Sequence, residues 1–193
     1  MQKMSDDELM LEYQRGSESA MDELFARHKD RVFRFAFRMS QNACEAKDLT
    51  QEVFFRVHRS RDTYRPQGKF TTWLLGIAHH AFVSKLRKDK WFVLWPRKKD
   101  DPEEFQDFAS PDPSPADNVS SSERVELVKE CIQGLPLLQR EALVLREYEN
   151  LDYNQIADIL RKPQNTVKTL IYRARQALKN KLLPILQEEG GLR

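Results

Sequence analysis

The sequence predicts an all-α fold: two small helical domains joined by a flexible linker, the C-terminal one containing a helix-turn-helix. Three observations lead there. Apolar residues recur at the three- and four-residue spacing of helices on both sides of a central gap. The gap holds five of the nine prolines, between Pro96 and Pro115, and eight acids between Asp89 and Asp117. Basic residues collect in two blocks, eight from Val53 to Lys88 against the one acid Asp62, and seven from Arg161 to Lys181 against none.

In chain order, Ser5 and Glu8 have the spacing of a capping box, which opens a short helix through Tyr13. Met21, Leu24, Phe25, His28, Val32, Phe35 and Met39 mark a long amphipathic helix, on which His28 reads as an interior histidine with a satisfied partner. Asn42 and Glu45 give a second capping pattern, ahead of the stripe Ala46, Leu49, Val53 and Val57. Pro66 and Gly68 force a loop, and Thr72 to Leu86 is helical again, with Leu74, Ile77, Ala78 and Ala81 inward. The prolines and acids of residues 89–121 cannot hold a regular helix, so the chain divides into 1–88, a linker 89–121 and 122–193.

Beyond the linker, Ser122 begins a helix that Gly134 should stop by turning left-handed, and Pro136 starts the next in its first turn. Asp152 and Gln155 repeat the capping-box spacing before Ile156, Ala157 and Leu160. After a turn at Arg161 to Pro163, the last helix carries Val167, Ile171, Ala174 and Leu178 on one stripe. A short helix, a tight turn and a helix with its other face free is the plan that enters a major groove.

A net charge of +2 hides the two basic blocks, and their separation suggests two contacts with a polyanion, since Lys and Arg bind phosphates by releasing counterions. At 40 % hydrophobic residues the chain can bury a core. No apolar run approaches the roughly 20 residues of a membrane span, and Met1 to Met10 lacks the character of a signal peptide, so no membrane insertion and a cytoplasmic location are expected. Cys44 and Cys131 match no metal spacing and read as small, partly buried thiols. His79 and His80 make no metal site, because adjacent helical residues diverge and no carboxylate or cysteine follows at i+4. No nucleophile motif or phosphate loop is present, so neither catalysis nor a cofactor is expected.

The stretch LDYNQIADILRKPQNTVKTLIYRARQAL, Leu151 to Leu178, resembles the last conserved region of extracytoplasmic-function sigma factors of the bacterial sigma-70 family. EAKDLTQEVF from Glu45 to Phe54, followed by FTTWLLGIAHHAFVSKLRK from Phe70 to Lys88, resembles their second region. The resemblance covers nearly all of the chain outside the linker. It implies a factor that binds core RNA polymerase and directs promoter recognition, DNA melting and initiation, with an anti-sigma factor as regulatory partner. It places polymerase docking on Asp48, Leu49, Gln51, Glu52 and Phe54. It places the −10 element of promoter DNA on the loop from Arg61 to Phe70 and the helix after it, on Arg61, Tyr64, Arg65, Lys69, Phe70, Trp73, His80 and Arg87. The −35 element falls to Asn165, Thr166, Lys168, Thr169, Arg173 and Arg175.

The residues bear on these roles independently. Asp48, Gln51 and Glu52 lie off the apolar stripe of their helix and can face a partner, whereas Phe54 and Phe55, being adjacent, cannot both face inward. Tyr64 and Phe70, interleaved with Arg65 and Lys69, offer stacking surfaces beside phosphate-neutralising charge, and Trp73 packs in part. Asn165, Thr166 and Thr169 near the start of the last helix suit base edges and phosphates. The chain departs from the family pattern at His80 and Ser84, where Asn and Asp are common, at Asn165 in place of Gly, and at Thr169-Leu170 in place of Ser-Arg. The last change removes an arginine that commonly contacts the −35 element. The helix-turn-helix alone also fits a DNA-binding regulator whose N-terminal half is a sensory domain; that reading needs neither a polymerase-docking helix nor a stacking loop.

Overall fold

The computed structural model describes the backbone of residues 4–93 and 119–190, and the side chains of residues 4–88 and 126–183. Among them every regular element is helical. Helices α1 (Asp6–Gln14), α2 (Glu18–Ser40), α3 (Ala43–Arg59) and α4 (Phe70–Val93) form the N-terminal group. Helices α5 (Val119–Gln133), α6 (Leu137–Glu147), α7 (Tyr153–Leu160) and α8 (Gln164–Gly190) form the C-terminal one. The expected linker falls mostly on residues 94–118, outside the described ones. Helix α4 continues five residues beyond Lys88, to Val93, and α5 starts three residues before Ser122.

Local chemistry sets the helix starts. The Ser5 hydroxyl accepts the Glu8 N–H while the Glu8 carboxylate accepts the Ser5 N–H at 2.7 Å. Asn42 Oδ1 accepts the Glu45 N–H at 3.0 Å. Asp152 accepts from Asn154 and Gln155, and Gln155 Oε1 accepts the Asp152 N–H at 3.0 Å. Each cap satisfies donors that would otherwise be orphaned, at about 1 kcal/mol apiece. The helix ends differ from expectation. Gly134 does not turn left-handed; among the described non-glycine residues Gln41, Asn150 and Arg161 do, with φ near +50°. A Cβ there would meet only the tip of the Lys181 side chain of α8, at 2.6 Å, which can swing aside. Gly68, at φ +104°, does need glycine's freedom, and it releases the chain into α4.

The α2 stripe is buried at Leu24, His28, Val32, Phe35 and Met39, against Ala46, Leu49, Val53 and Val57 of α3 and Leu74, Leu75 and Ala78 of α4. His28 is held as expected, its Nε2–H donating to Asp6 Oδ2 at 2.8 Å. Burial pushes its pKa below the usual value, against the opposing pull of Asp6. Phe25 leaves the stripe, 40 % exposed, with its ring edge-on to Phe54 at 4.8 Å. Cys131 is buried and Cys44 is exposed, so the reading of both as partly buried thiols holds for neither.

The two groups of helices do not stand apart. One hydrophobic core runs from Leu9 and Met10 through α2 to α4 and on to Leu145, Ile156 and Ile171. Polar contacts stitch the same seam. Gln133 Nε2 donates to Arg38 O at 2.8 Å, and Arg140 Nη1 to Met39 O at 3.0 Å. The Arg38 guanidinium lies 4.1 Å from the centre of the Tyr148 ring, and Arg31 Nε pairs with Glu149 Oε2 at 3.1 Å. His79 Nδ1–H donates to Glu141 Oε1 at 2.6 Å.

Candidate functional site

Three surfaces carry the residues singled out in the sequence. On α3, Asp48, Gln51, Glu52 and Phe55 stand at i, i+3, i+4 and i+7 and share one exposed face. Phe55 is 62 % exposed, with the Arg59 guanidinium 5.7 Å from its ring centre, and Glu52 accepts from Arg56 at 2.7 Å. Leu49 and Phe54 point the other way, at 4 % and 6 % exposure, into the core. The expected docking set is therefore split. Asp48, Gln51 and Glu52 can meet a partner directly, Leu49 and Phe54 hold the helix in place, and Phe55 joins the exposed face.

The second surface is the loop from Arg61 to Phe70 with the start of α4; Arg61–Thr63 is one turn of 3-10 helix. Tyr64 and Phe70, expected as stacking surfaces, are each only 3 % exposed. Their rings pack on each other and on Trp73, with Tyr64 and Trp73 edge-on at 4.7 Å. The Tyr64 hydroxyl donates to Asp7 of α1, and burial with that bond raises the phenol's pKa. These two rings are core, and Asp7, 57 residues earlier in the chain, fixes Tyr64. Trp73 is half-buried, and with Arg65, Gln67 and Lys69 it lines a hollow of about 290 Å³. Arg65 caps the loop, Nη1 donating to Tyr64 O at 2.7 Å, and Lys69 and Arg87 are exposed. Arg61 is turned aside, over the Tyr13 ring at 5.6 Å. His80 is half-buried, and burial first, then His79, Arg161 and Arg56, lower its pKa.

The third surface is α8. Val167, Ile171 and Ala174 are buried, as their stripe requires, and Asn165, Thr166, Lys168, Thr169, Arg173 and Arg175 are all exposed. Arg161, in the left-handed conformation at the end of α7, turns the chain sharply into α8. Not all six exposed side chains are equally free. Arg175 is held by Glu147 Oε1, with Nε at 3.1 Å and Nη2 at 2.5 Å, and the Thr169 hydroxyl donates to Asn165 O at 2.9 Å. Tyr172, 64 % exposed and one turn beyond Lys168 and Thr169, belongs to the same face and was missed in the sequence. An aromatic outside the apolar stripe was the available signal.

Comparison with known proteins assigns both halves. The family described as Sigma-70 region 2 matches residues 24–92, and Sigma-70, region 4 matches residues 126–178. The first match puts a sigma region where the alternative reading needed a sensory domain. The RNA polymerase sigma-H factor of Pseudomonas aeruginosa is 33 % identical, over 95 % of this chain and 96 % of its own length. The ECF RNA polymerase sigma-E factor of Escherichia coli K12 is 30 % identical, over 96 % and 98 %. The ECF sigma factor SigE of Mycolicibacterium smegmatis is 36 % identical over 86 % of this chain, which spans 64 % of that relative's length. Among solved structures, the sigma factor RpoE in complex with the anti-sigma factor NepR, from Bartonella quintana, shares the fold with a TM-score of 0.66 at 22 % identity, covering 83 % of this chain and 95 % of that one. With both regions matched in order and relatives aligned almost end to end, the chain belongs to the extracytoplasmic-function sigma factors of the sigma-70 family.

Proposed function

We propose that this sigma factor binds core RNA polymerase through the exposed α3 face, takes the −10 element at the Trp73 hollow, and reads the −35 element with α8. The observation that carries the reading is the division of α8 into a buried apolar stripe and an outward face of Asn165, Lys168, Thr169, Tyr172 and Arg173. Cations on such a face neutralise phosphates, and Asn and Thr near the helix start suit base edges. Asp48, Gln51, Glu52 and Phe55 form the proposed polymerase contact, over the packing of Leu49 and Phe54. A single aromatic within an acidic, exposed row is the composition of a partner-facing anchor.

At the −10 element, Trp73 supplies a stacking face, Arg65 and Lys69 supply charge, and His80 and Arg87 continue the surface along α4. Tyr64 and Phe70 act by setting the Trp73 ring, and Arg61 by bracing the loop. The factor itself performs no catalysis; polymerase does the chemistry. It acts in the cytoplasm, where polymerase and promoters are, and no helix among the described residues is long and apolar enough to cross a membrane. An anti-sigma factor is its proposed regulator. Residues 1–88 and 122–193 act as the two promoter-binding domains, and limited proteolysis of the free chain should cut first within 89–121. The test of the whole reading is a promoter library selected with holoenzyme reconstituted from this chain. Enrichment of a two-part motif with fixed spacing supports it, and a library left unsorted refutes it.

A further inference from the structure

Helix α1 lies before residue 24, where the Sigma-70 region 2 match begins, yet it holds the loop from Arg61 to Phe70 at both ends. At the start of α1, Asp7 accepts the Tyr64 hydroxyl. The neighbouring Asp6 accepts from His28 Nε2–H at 2.8 Å, and the His28 ring meets that of Phe70 at 5.2 Å. At the end of α1, Gln14 Nε2 donates to Arg61 O at 2.5 Å and to Tyr64 O at 3.0 Å. The buried Tyr13 beside it carries the Arg61 guanidinium over its ring and shares a hydrogen bond with His58 Nδ1. The loop has use for such partners. Its described backbone bonds close one 3-10 turn, at Thr63 and Tyr64, and join Gln67 N–H to Arg65 O at 2.8 Å. Arg65, Gln67 and Lys69, which line the Trp73 hollow, stand exposed between the buried Tyr64 and Phe70. Ordering a loop costs conformational entropy, and a loop ordered before its ligand arrives does not place that cost on binding.

We propose that α1 sets base discrimination at the −10 element, with Asp7 and Gln14 as positioning residues that act through Tyr64 and the carbonyls of Arg61 and Tyr64. The proposal rests on the reading of the Trp73 hollow as the −10 site. Held by α1, the loop keeps the hollow in the shape that admits one base. Released from α1, it keeps Arg65 and Lys69 and still attracts a strand through the phosphates, but it accepts right and wrong bases more nearly alike.

The test uses holoenzyme reconstituted from the full chain and a fluorescent single strand carrying the −10 half of the library-selected promoter. Affinity is measured for that strand and for strands changed at one base, and the ratio is the discrimination. A general loss of folded chain lowers the active fraction and leaves this ratio as it was. Gln14→Ala removes both donated bonds, and Tyr64→Phe removes the hydroxyl and keeps the ring. Each should lower the ratio at the best-read base about fivefold, as the loss of one hydrogen bond implies, while association with polymerase is kept. Asp7→Asn, which keeps an acceptor, should retain the ratio, and Asp7→Ala should lose it. Adding Asp7→Ala to Tyr64→Phe should lower it no further, and additive losses overturn the proposal. Trp73→Ala separates the positioning role from the reading beneath it. If Trp73→Ala changes neither affinity nor ratio, the hollow is not the −10 site and both fall. If Trp73→Ala lowers them while Gln14→Ala and Tyr64→Phe keep the parent ratio, the positioning role alone is overturned. If Gln14→Ala does not fold, Tyr64→Phe decides: a lowered ratio upholds the proposal and an unchanged one overturns it.

Discussion

Replacing Lys168 or Arg173 with alanine should change how promoter binding depends on salt, by an amount that follows from their positions. Both side chains are exposed beside the buried stripe of Val167, Ile171 and Ala174, and among the described residues neither is held in an ion pair as Arg175 is by Glu147, while the Lys168 ammonium lies 5.9 Å from the centre of the Tyr153 ring. A cation that neutralises one phosphate contributes about 0.9 to the slope of log affinity against log salt on duplex DNA. Between about 50 and about 200 mM salt, each such contact is therefore worth about a 3.5-fold change in affinity. Lys168→Ala and Arg173→Ala should each flatten the slope by about 0.9, and the double variant by about twice that. Arg175→Ala should flatten it less, since its charge is already partly answered by Glu147. The assay is equilibrium binding of reconstituted holoenzyme to a fluorescent promoter duplex across that salt range. Slopes unchanged in both single variants would refute the placement of DNA on this face.

Reversing Asp48 and Glu52 to Lys, with or without Phe55→Ala, should abolish co-purification with core polymerase. Thermal stability should move little, because exposed side chains away from the core contribute within about 0.5 kcal/mol. Asn165→Ala should cost roughly 1–3 kcal/mol on the selected −35 sequence and relax preference at one base pair, read by competition among single-base promoter variants. Asp152→Ala removes two accepted N–H bonds at the start of α7 and should lower stability by about 1 kcal/mol in urea unfolding. Because burial holds the His28 pKa below its ordinary value, the unfolded chain binds the proton first as pH falls. The His28 contribution is therefore complete above about pH 6.5 and is lost below it, so the melting temperature should drop between about pH 7 and about pH 5, less steeply in His28→Gln.

The sequence made the helices legible because their signals are local. Ser5, Asn42 and Asp152 cap where their side chains dictate, and the stripes of α2, α3 and α8 fall where spacing puts them. Helix ends were harder to read. Gln41 and Arg161 accept the left-handed conformation that glycine would adopt more cheaply, whereas Gly134, free to adopt it, does not. The sites were legible as far as one helix at a time allows. Periodicity shows that Phe54 and Phe55 cannot both be inside and turns Phe55 out with Asp48 and Glu52; the Phe25 ring of α2 that meets Phe54 lies on a different helix and was not legible. Tyr64 looked free because the carboxylate that fixes it, Asp7, lies 57 residues earlier. The seam was least legible, since His79 and Glu141 are 62 residues apart and each looks ordinary in its own helix.

Core RNA polymerase lacks promoter recognition of its own, and run-off transcription asks whether this chain supplies it. Core RNA polymerase, free of other sigma factors, is given a template carrying the selected promoter, with and without the purified chain. A discrete transcript from one start site is expected only when the chain is present, and it should be lost with Asp48→Lys and Glu52→Lys together. A transcript of equal strength without the chain, or none with it although it binds polymerase, would show that promoter recognition does not come from this chain.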